Sequence, residues 1–211
     1  MKIQKIGHCC LLIEDQDVRL LTDPGMFSSG QNELKSIDAV LVSHEHFDHI
    51  HLDSVKAILD NNPSVRILTN SAVARMLDDA QIVYELIGDG ETAKVGEVTI
   101  TAVEGPHALI HKSVPQVLNT GFLVSDRLFY PGDAFLNPFW PVEILALPVA
   151  GPWLKVSEVI DYAVKMKAKV CFPVHDAIMA NPTMFHGMIK RLLDAEGIDF
   201  VSLDAGQSTE F

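Results

Sequence analysis

Short apolar runs separated by polar turns open the chain. They occupy residues 3–6, 10–14 and 18–22, and a fourth run, at residues 39–42, is apolar throughout. Runs of this length with turn-forming flanks predict β-strands, and the fourth is typical of a strand in the interior of a sheet. The intervening segment 26–38 is polar and contains glycine and serine, so we expect a loop that could line a pocket.

Apolar residues then recur at helical spacing. This spacing predicts a helix over residues 51–61, which Asn61, Asn62 and Pro63 would end. A second helix is expected to begin at Asn70 or Ser71. Further strands are predicted at residues 65–69, 83–87 and 98–103. Strands that alternate with helices and short loops are typical of a layered α/β protein.

The second half of the chain also contains both predicted strands and predicted helices, without visible sequence identity to the first half. Two helices are predicted, over residues 155–167 and 181–196, and the second begins with an Asn-Pro pair suited to a helix start. The predicted strands of this half lie at residues 121–124, 128–130, 144–149, 169–174 and 199–203. We therefore expect one α/β domain over residues 1–211.

Composition narrows the class of protein. The 211 residues are 48% hydrophobic and 21% charged, as in a well-packed globular domain. The net charge of −12 argues against a nucleic-acid partner, which requires clustered Lys and Arg. No apolar run is long enough for a membrane span, so no membrane partner is expected. A small-molecule substrate is expected, and a homo-oligomer is compatible with the sequence.

Cysteine usage and the start of the chain predict a cytoplasmic location. Three cysteines, two of them the neighbours Cys9 and Cys10, make a poor disulfide framework. The first six residues alternate like a strand and lack the apolar core of a signal peptide. Either neighbouring thiol could act as a nucleophile, but packing as a small buried hydrophobe is the favoured interpretation.

A histidine-rich stretch follows the apolar run at residues 39–42. It reads Ser-His-Glu-His-Phe-Asp-His-Ile over residues 43–50. Imidazole and carboxylate are zinc ligands. His44 and His46 can converge on one ion, whereas Asp48 and His49 diverge from them and could bind a second. A histidine-rich loop without any ion is the alternative.

Three further candidate ligands each follow a predicted strand: His107, Asp133 and His175. Side chains at the ends of neighbouring strands can face one cleft. A single histidine of this kind would more often be a surface residue, so it is the repeated placement that indicates a shared site. The other histidines are interpreted as surface or helix residues, namely His51, His111 and His186.

Residues 44–49 resemble the His-x-His-x-Asp-His motif of the metallo-β-lactamase superfamily, and the three later residues stand in the order of its remaining ligands. The resemblance implies a four-layer αβ/βα sandwich with two metal ions at one edge. It implies that Asp133 bridges the two ions. The other implied ligands are His44, His46 and His107 for the first ion and Asp48, His49 and His175 for the second.

A narrower resemblance covers residues 7–14 and the Thr-Asp-Pro at residues 22–24. They are similar to the branch that contains L-ascorbate-6-phosphate lactonases. This implies that His8 lies near the metals or contacts substrate, although a structural histidine is an equal alternative. Asp23 would orient a metal-binding histidine, or else form a simple turn. Trp153 would form an aromatic wall of the pocket, although ordinary core packing is favoured.

The implied chemistry is hydrolysis. A hydroxide held between two divalent ions would attack a carbonyl or phosphorus centre. Asp48 would orient it and could accept its proton, and Asp133 could protonate the leaving group. Zinc suits the histidine ligands, and manganese or iron is compatible with them. The substrate would be a small ester, lactone, amide or phosphodiester.

Three other functions are compatible with the same ligands. They are an iron-dependent redox protein, a non-catalytic metal-binding protein of the same fold, and a nuclease. The acidic balance of the chain disfavours the nuclease.

Overall fold

Two seven-stranded β-sheets pack against each other in the computed structural model, which describes residues 1–211. The strands of the first sheet are β1 (Lys2–Gly7), β2 (Cys10–Asp15), β3 (Val18–Thr22), β4 (Ala39–Val42), β5 (Arg66–Thr69), β6 (Glu85–Leu86) and β14 (Ser208–Glu210). Their order across the sheet is β14-β1-β2-β3-β4-β5-β6. Strands β3 to β6 run parallel, so their carboxyl ends lie at one edge.

The second sheet has the order β13-β12-β11-β10-β9-β8-β7. Its strands are β7 (Thr92–Val95), β8 (Val98–Pro106), β9 (Leu118–Val124), β10 (Leu128–Tyr130), β11 (Ile144–Pro148), β12 (Val170–Val174) and β13 (Asp199–Phe200). The helices are α1 (Leu52–Asn61), α2 (Ser71–Asp79), α3 (Val156–Met166) and α4 (Pro182–Ala195), and a 3₁₀ turn covers Gln31–Glu33. None of the helices is long and apolar enough to cross a bilayer.

Side-chain alternation along the strands produces the layers. Leu20 and Leu41 point between the sheets into a core of 23 buried residues. Their neighbours Leu21 and Val42 point to the opposite face, where α1 and α2 cover the first sheet. In the same way, α3 and α4 cover the outer face of the second sheet. Because successive residues of a strand face opposite sides, every central strand is buried on both faces. The result is a four-layer αβ/βα sandwich, which confirms the predicted fold class.

Most predicted elements are present, and the exceptions lie at sheet edges. Strands β7 and β14 were not predicted, because most of their residues are polar or exposed and show no apolar period. The strand expected at residues 83–87 contains only the two exposed residues of β6, and Val83 lies outside it. An edge strand needs backbone hydrogen bonds on one side only, so its residues need not be apolar.

Helix starts follow the expected capping chemistry. The Asn70 side chain accepts hydrogen bonds from the backbone N–H groups of Ala72 and Val73, at 3.0 and 3.1 Å. Asn181 accepts one from the Met184 N–H at 3.3 Å, and Pro182 follows at the first helical position. These contacts satisfy N–H groups that have no partner within the helix.

Candidate metal centre

The candidate ligands lie just beyond strand ends at one edge of the sandwich. The 43–50 loop follows β4, His107 follows β8, Asp133 follows β10 and His175 follows β12. The backbone N–H of Thr120 on β9 donates to the Ser43 carbonyl at 2.9 Å, which joins the two sheets at this edge. Residues that are scattered along the chain therefore meet at one place.

Three histidines form the first group. His44 Nε2 lies 3.1 Å from His46 Nδ1, and the ring centroids of His46 and His107 are 4.7 Å apart. His107 Nδ1 donates to the backbone carbonyl of Ala108 at 2.6 Å, so its Nε2 keeps a free lone pair. The ligand atoms of these three residues lie within 4.8 Å of one another, close enough to bind one ion.

The second group contains Asp48, His49, His175 and His8, again with ligand atoms within 4.8 Å. Asp133 lies between the two groups. Its Oδ1 is 3.1 Å from His49 Nε2, and its Oδ2 is 2.8 Å from His175 Nε2 and 3.4 Å from His107 Nε2. The structure therefore brings all seven ligands implied by the resemblance into one cluster.

Five buried polar atoms of this cluster have no hydrogen-bond partner. They are Nε2 of His49 and His107, both ring nitrogens of His175 and Oδ1 of Asp133. Buried polar atoms are nearly always satisfied, so a group of this size within one cluster needs an explanation. Bound divalent cations would accept lone pairs from the three Nε2 atoms and from Asp133 Oδ1, and a mixed imidazole and carboxylate set suits zinc, manganese or iron. The residues present thus fit a metal centre.

Neighbouring histidines keep the two carboxylates of the cluster ionised despite their burial. Burial alone would raise the pKa of Asp48, but the His8 hydrogen bond and the nearby histidines lower it to about 2. Burial opposes ionisation of Asp133 as well, yet His49 and His175 hold its pKa well below the usual range. Burial lowers the pKa of His44 and His46. Two carboxylates and the neutral imidazoles of His44 and His46 are the charge states that bind a divalent cation.

Asp23 orients the two buried histidines. Burial alone would lower the pKa of His49, but the adjacent Asp133 and Asp23 raise it, and its Nδ1 lies 2.6 Å from Asp23 Oδ2. Ser43 Oγ donates to the same oxygen at 2.5 Å and lies 2.9 Å from His44 Nδ1. The Tyr130 hydroxyl also donates to Asp23. These contacts hold both Nδ1 atoms, which directs both Nε2 atoms to the cluster.

Asp133 is held from two sides. Trp153 Nε1 donates to its Oδ2 at 3.0 Å, and the Asn119 side chain accepts from its backbone N–H at 2.9 Å. Gly132 has a φ of +65°, and a Cβ there would lie 2.3 Å from the Asn119 amide oxygen, so only glycine fits. The favoured interpretation of Trp153 as ordinary core packing is therefore incomplete.

His8 occupies a left-handed turn with φ +46° beside the second group. The Ala177 backbone N–H donates to its Nδ1 at 3.3 Å. An imidazole nitrogen that accepts a hydrogen bond carries no proton, so the neutral ring has its proton on Nε2. That nitrogen lies 3.4 Å from Asp48 Oδ2 and can donate to it. Burial lowers the pKa of His8, which favours the neutral ring.

A buried ion pair next to the cluster was not predicted from the sequence. Lys5 Nζ, only 1% exposed, lies 2.6 and 2.7 Å from the two carboxylate oxygens of Asp176 and donates to the Pro173 carbonyl. His186 Nε2 lies 3.0 Å from the same carboxylate. His186 is on a helix as predicted, but it is buried. The alternation of β1 could have revealed Lys5, because it shares the face of buried Ile3.

The two remaining histidines, Cys10 and Cys171 lie outside the cluster, whereas Cys9 Sγ lies within 4.8 Å of ligand atoms of His49 and Asp133. His111 is exposed, and His51 Nδ1 contacts Ser54 Oγ at 3.0 Å at the start of α1. Cys9, Cys10 and Cys171 are buried and unpaired, which confirms that they form no disulfide. Burial raises the thiol pKa of each, so none has the thiolate character of a nucleophile.

A four-layer sandwich with a buried histidine and aspartate cluster at its strand ends defines a metal-dependent protein of metallo-β-lactamase fold. Residues 2–175 match the family described as Beta-lactamase superfamily domain, and the chain belongs to that family. Protein Rv0786c of Mycobacterium tuberculosis is 34% identical, over 100% of this chain and 95% of that protein. A UPF0173 metal-dependent hydrolase of Koribacter versatilis is 23% identical, over 83% of this chain and 84% of that protein.

Solved structures share the fold at low sequence identity. Igni18, a metallo hydrolase from Ignicoccus hospitalis, superposes with a TM-score of 0.77 at 20% identity, over 100% of this chain and 98% of that one. The metallo-β-lactamase fold protein YhfI of Bacillus subtilis gives a TM-score of 0.73 at 15% identity, over 100% and 99% of the two chains. At these identities, the similarity defines the fold alone.

Proposed function

We propose that this protein is a hydrolase of small esters, lactones, amides or phosphodiesters that works with two divalent metal ions. His44, His46 and His107 would bind one ion, and Asp48, His49 and His175 the other, with Asp133 between them. The observation that carries this proposal is the set of unpartnered buried Nε2 and Oδ1 atoms on His49, His107, His175 and Asp133. Relatives named metal-dependent hydrolases support the reaction class.

Bound divalent ions would supply Lewis acidity, which activates water at neutral pH and stabilises negative charge on the attacked group. The protein residues would contribute orientation and proton transfer. Asp48 is ionised and partly accessible, so it can accept the proton of an attacking water molecule. Trp153 would hold Asp133 through its indole N–H. Asp23 would keep the His49 ring in its binding orientation.

The experiment that tests the proposal combines metal analysis with a substrate panel. Wild-type protein loaded with zinc, manganese or iron should contain about two ions per chain and turn over members of a panel of esters, lactones, amides and phosphodiesters. His46→Ala should lose about one ion and lower turnover by at least about 10²-fold, because one group of ligands is broken. His111→Ala removes an exposed histidine and serves as the matched control.

Each outcome of this test has a defined meaning. Inert protein with two ions bound would refute the hydrolase and favour a non-catalytic metal protein. Turnover that is unchanged in His46→Ala would refute the assigned ligands. Selective retention of redox-active iron would favour the redox alternative. The resemblance to the lactonase branch is the reason to include lactones in the panel.

We infer that His8 positions Asp48 and is not itself a metal ligand. A ligating Nε2 would force the ring proton onto Nδ1, where it would oppose the Ala177 N–H that already points at that atom. The observed contacts instead make Nε2 a donor to Asp48 Oδ2. His8 would thus fix one carboxylate oxygen and leave the other free for the second ion.

Replacing His8 separates these two roles. His8→Gln keeps an N–H donor near the Nε2 position, so its affinity for the second ion should stay within about threefold of the wild type. His8→Ala removes the donor and should weaken that affinity by about 10- to 100-fold. Titration calorimetry measures the affinities, and ¹⁵N NMR of the ring reports which nitrogen is protonated. Equal losses in both variants, with a proton on Nδ1, would identify His8 as a ligand.

A further inference from the structure

An apolar surface borders the metal centre. Phe47 lies between His46 and Asp48 in sequence and is 58% exposed, and Phe27 and Met26 are also exposed. The Phe27 and Phe47 rings meet edge to face with centroids 5.5 Å apart. Phe27 also meets the His8 ring edge to face at 5.3 Å. The surface formed by Met26, Phe27 and Phe47, here called the aromatic rim, is therefore continuous with the candidate ligands.

The aromatic rim is held rigidly against the metal centre. The Met26 backbone N–H donates to the Phe47 carbonyl at 3.0 Å. A Cβ on Gly25 would lie 1.9 Å from the Asp48 carbonyl oxygen, so only glycine allows the two loops to approach this closely. Buried Gln31 donates to the carbonyl of Ser28 at 3.2 Å from inside the loop. A preformed apolar wall loses little conformational entropy when a ligand covers it.

Phe27 and His8 also line a cavity of about 450 Å³, which has both apolar and polar lining residues. This volume falls within the range of small-molecule sites. No Lys or Arg lines it, and its only charged lining residues are Asp176 and Asp204. The Asp176 carboxylate is already paired with Lys5, and Asp204 is half-exposed. The cavity therefore offers no cation to bind a phosphate or carboxylate group.

We propose that the substrate carries an uncharged group whose apolar part lies on the aromatic rim and whose end extends past His8 into this cavity, while the scissile bond lies at the metal centre. This inference rests on the proposed function and narrows its substrate class. Exposed aromatic residues beside a reaction centre are well suited to bind such a group, because covering them removes apolar area from water. The cavity has no Lys or Arg to hold the phosphate of a phosphorylated lactone, so we do not expect a substrate of that kind to place its phosphate there.

The test uses probes that bind metal without being turned over. Alkyl hydroxamates from two to eight carbons would be titrated calorimetrically into zinc-loaded wild-type protein. Affinity should rise about two- to threefold for each added methylene, somewhat less than full burial would yield. Phe27→Ala should abolish most of this increase and leave the two-carbon probe within twofold of its wild-type affinity. Phe27→Leu should keep most of the increase. This result would show that the increase depends on the apolar surface and that Phe27→Ala did not lose it by disturbing the fold.

Matched controls make the result specific. Val83→Ala removes another exposed apolar side chain, which lies just before β6 and hence at the opposite end of the strands, and should leave the series unchanged. A six-carbon hydroxamate with a terminal carboxylate should bind at least about tenfold more weakly than its uncharged counterpart. Wild-type affinity that is independent of chain length, or tighter binding of the anionic probe, would overturn the inference.

Failure of this inference and failure of the proposed function give different experimental results. If hydroxamate affinity depends on chain length but no substrate is turned over, the protein is not a hydrolase, and the inference that its ligand carries an apolar group stands. Turnover without chain-length dependence would refute the inference alone. If the wild type sediments as a dimer and Phe27→Ala as a monomer, the aromatic rim is a contact between copies of the chain. That result would overturn the inference. Failure of every hydroxamate to bind would count against both.

Discussion

Replacing Asp133 by asparagine is expected to reduce turnover by about 10³-fold while the fold stays intact. The carboxylate lies within 3.4 Å of three histidine Nε2 atoms and is almost completely buried. Asparagine keeps the shape but removes the negative charge that would stand between the two ions. Loss of one preorganised electrostatic contact in a buried site typically costs about 10²–10³ in rate, and this residue would serve both ions.

Steady-state kinetics and circular dichroism check this expectation. Zinc should raise the Tm of the wild type, because a ligand that binds only the folded state stabilises it, and should raise that of Asp133→Asn much less. Asp79→Asn changes an exposed aspartate at the end of α2 and is the matched control. Wild-type turnover in Asp133→Asn would show that this carboxylate has no part in the reaction.

Replacing Lys5 by methionine is expected to lower the free energy of unfolding by about 3–5 kcal/mol at pH 7. Removal of one member of a buried ion pair leaves the other charge uncompensated. Asp176 would keep only His186 as a side-chain partner. Urea unfolding measures the loss, and Lys2→Met, which removes an exposed lysine from the same strand, is the control. A loss below about 1 kcal/mol would mean that Asp176 is satisfied without Lys5.

The pH dependence of the Lys5→Met effect has a defined sign. In the wild type, burial alone would raise the pKa of Asp176, but the hydrogen bond from His186 and the Lys5 ammonium lower it. The stabilisation is therefore present above the unfolded value near 4 and is lost as the pH falls through the folded value. Without Lys5, burial favours the protonated carboxyl, so the stability gap between variant and wild type should narrow as the pH falls from 7 to 4.

Motif and strand pattern were enough to predict much of the site. His44, His46, Asp48 and His49 follow an apolar strand within one short stretch, so local spacing alone indicates a metal site. His107, Asp133 and His175 share only their position after strands. Their membership in one cluster follows from the resemblance and is visible in the structure because the two sheets present the same edge.

Other parts of the site had no local signal. Trp153 looks like any buried aromatic in the sequence, and its contact with Asp133 exists because the loop after β11 folds back over the cluster. Asn119 and Tyr130 lie on strands and contact Asp133 and Asp23 only across the fold. The edge strands β7 and β14 were missed for a related reason, since pairing with a neighbour, not apolar character, defines them.

By itself, the sequence determined the layered α/β class, the central strands and the chemistry of the ligands. These depend on apolar period and side-chain type, which are local properties of the chain. Only the tertiary structure decided which side chains share one cluster, which nitrogen of His8 carries a proton, and that Lys5 is buried against Asp176. Those properties depend on contacts between residues as much as 171 positions apart, and no local pattern encodes the distance between such residues.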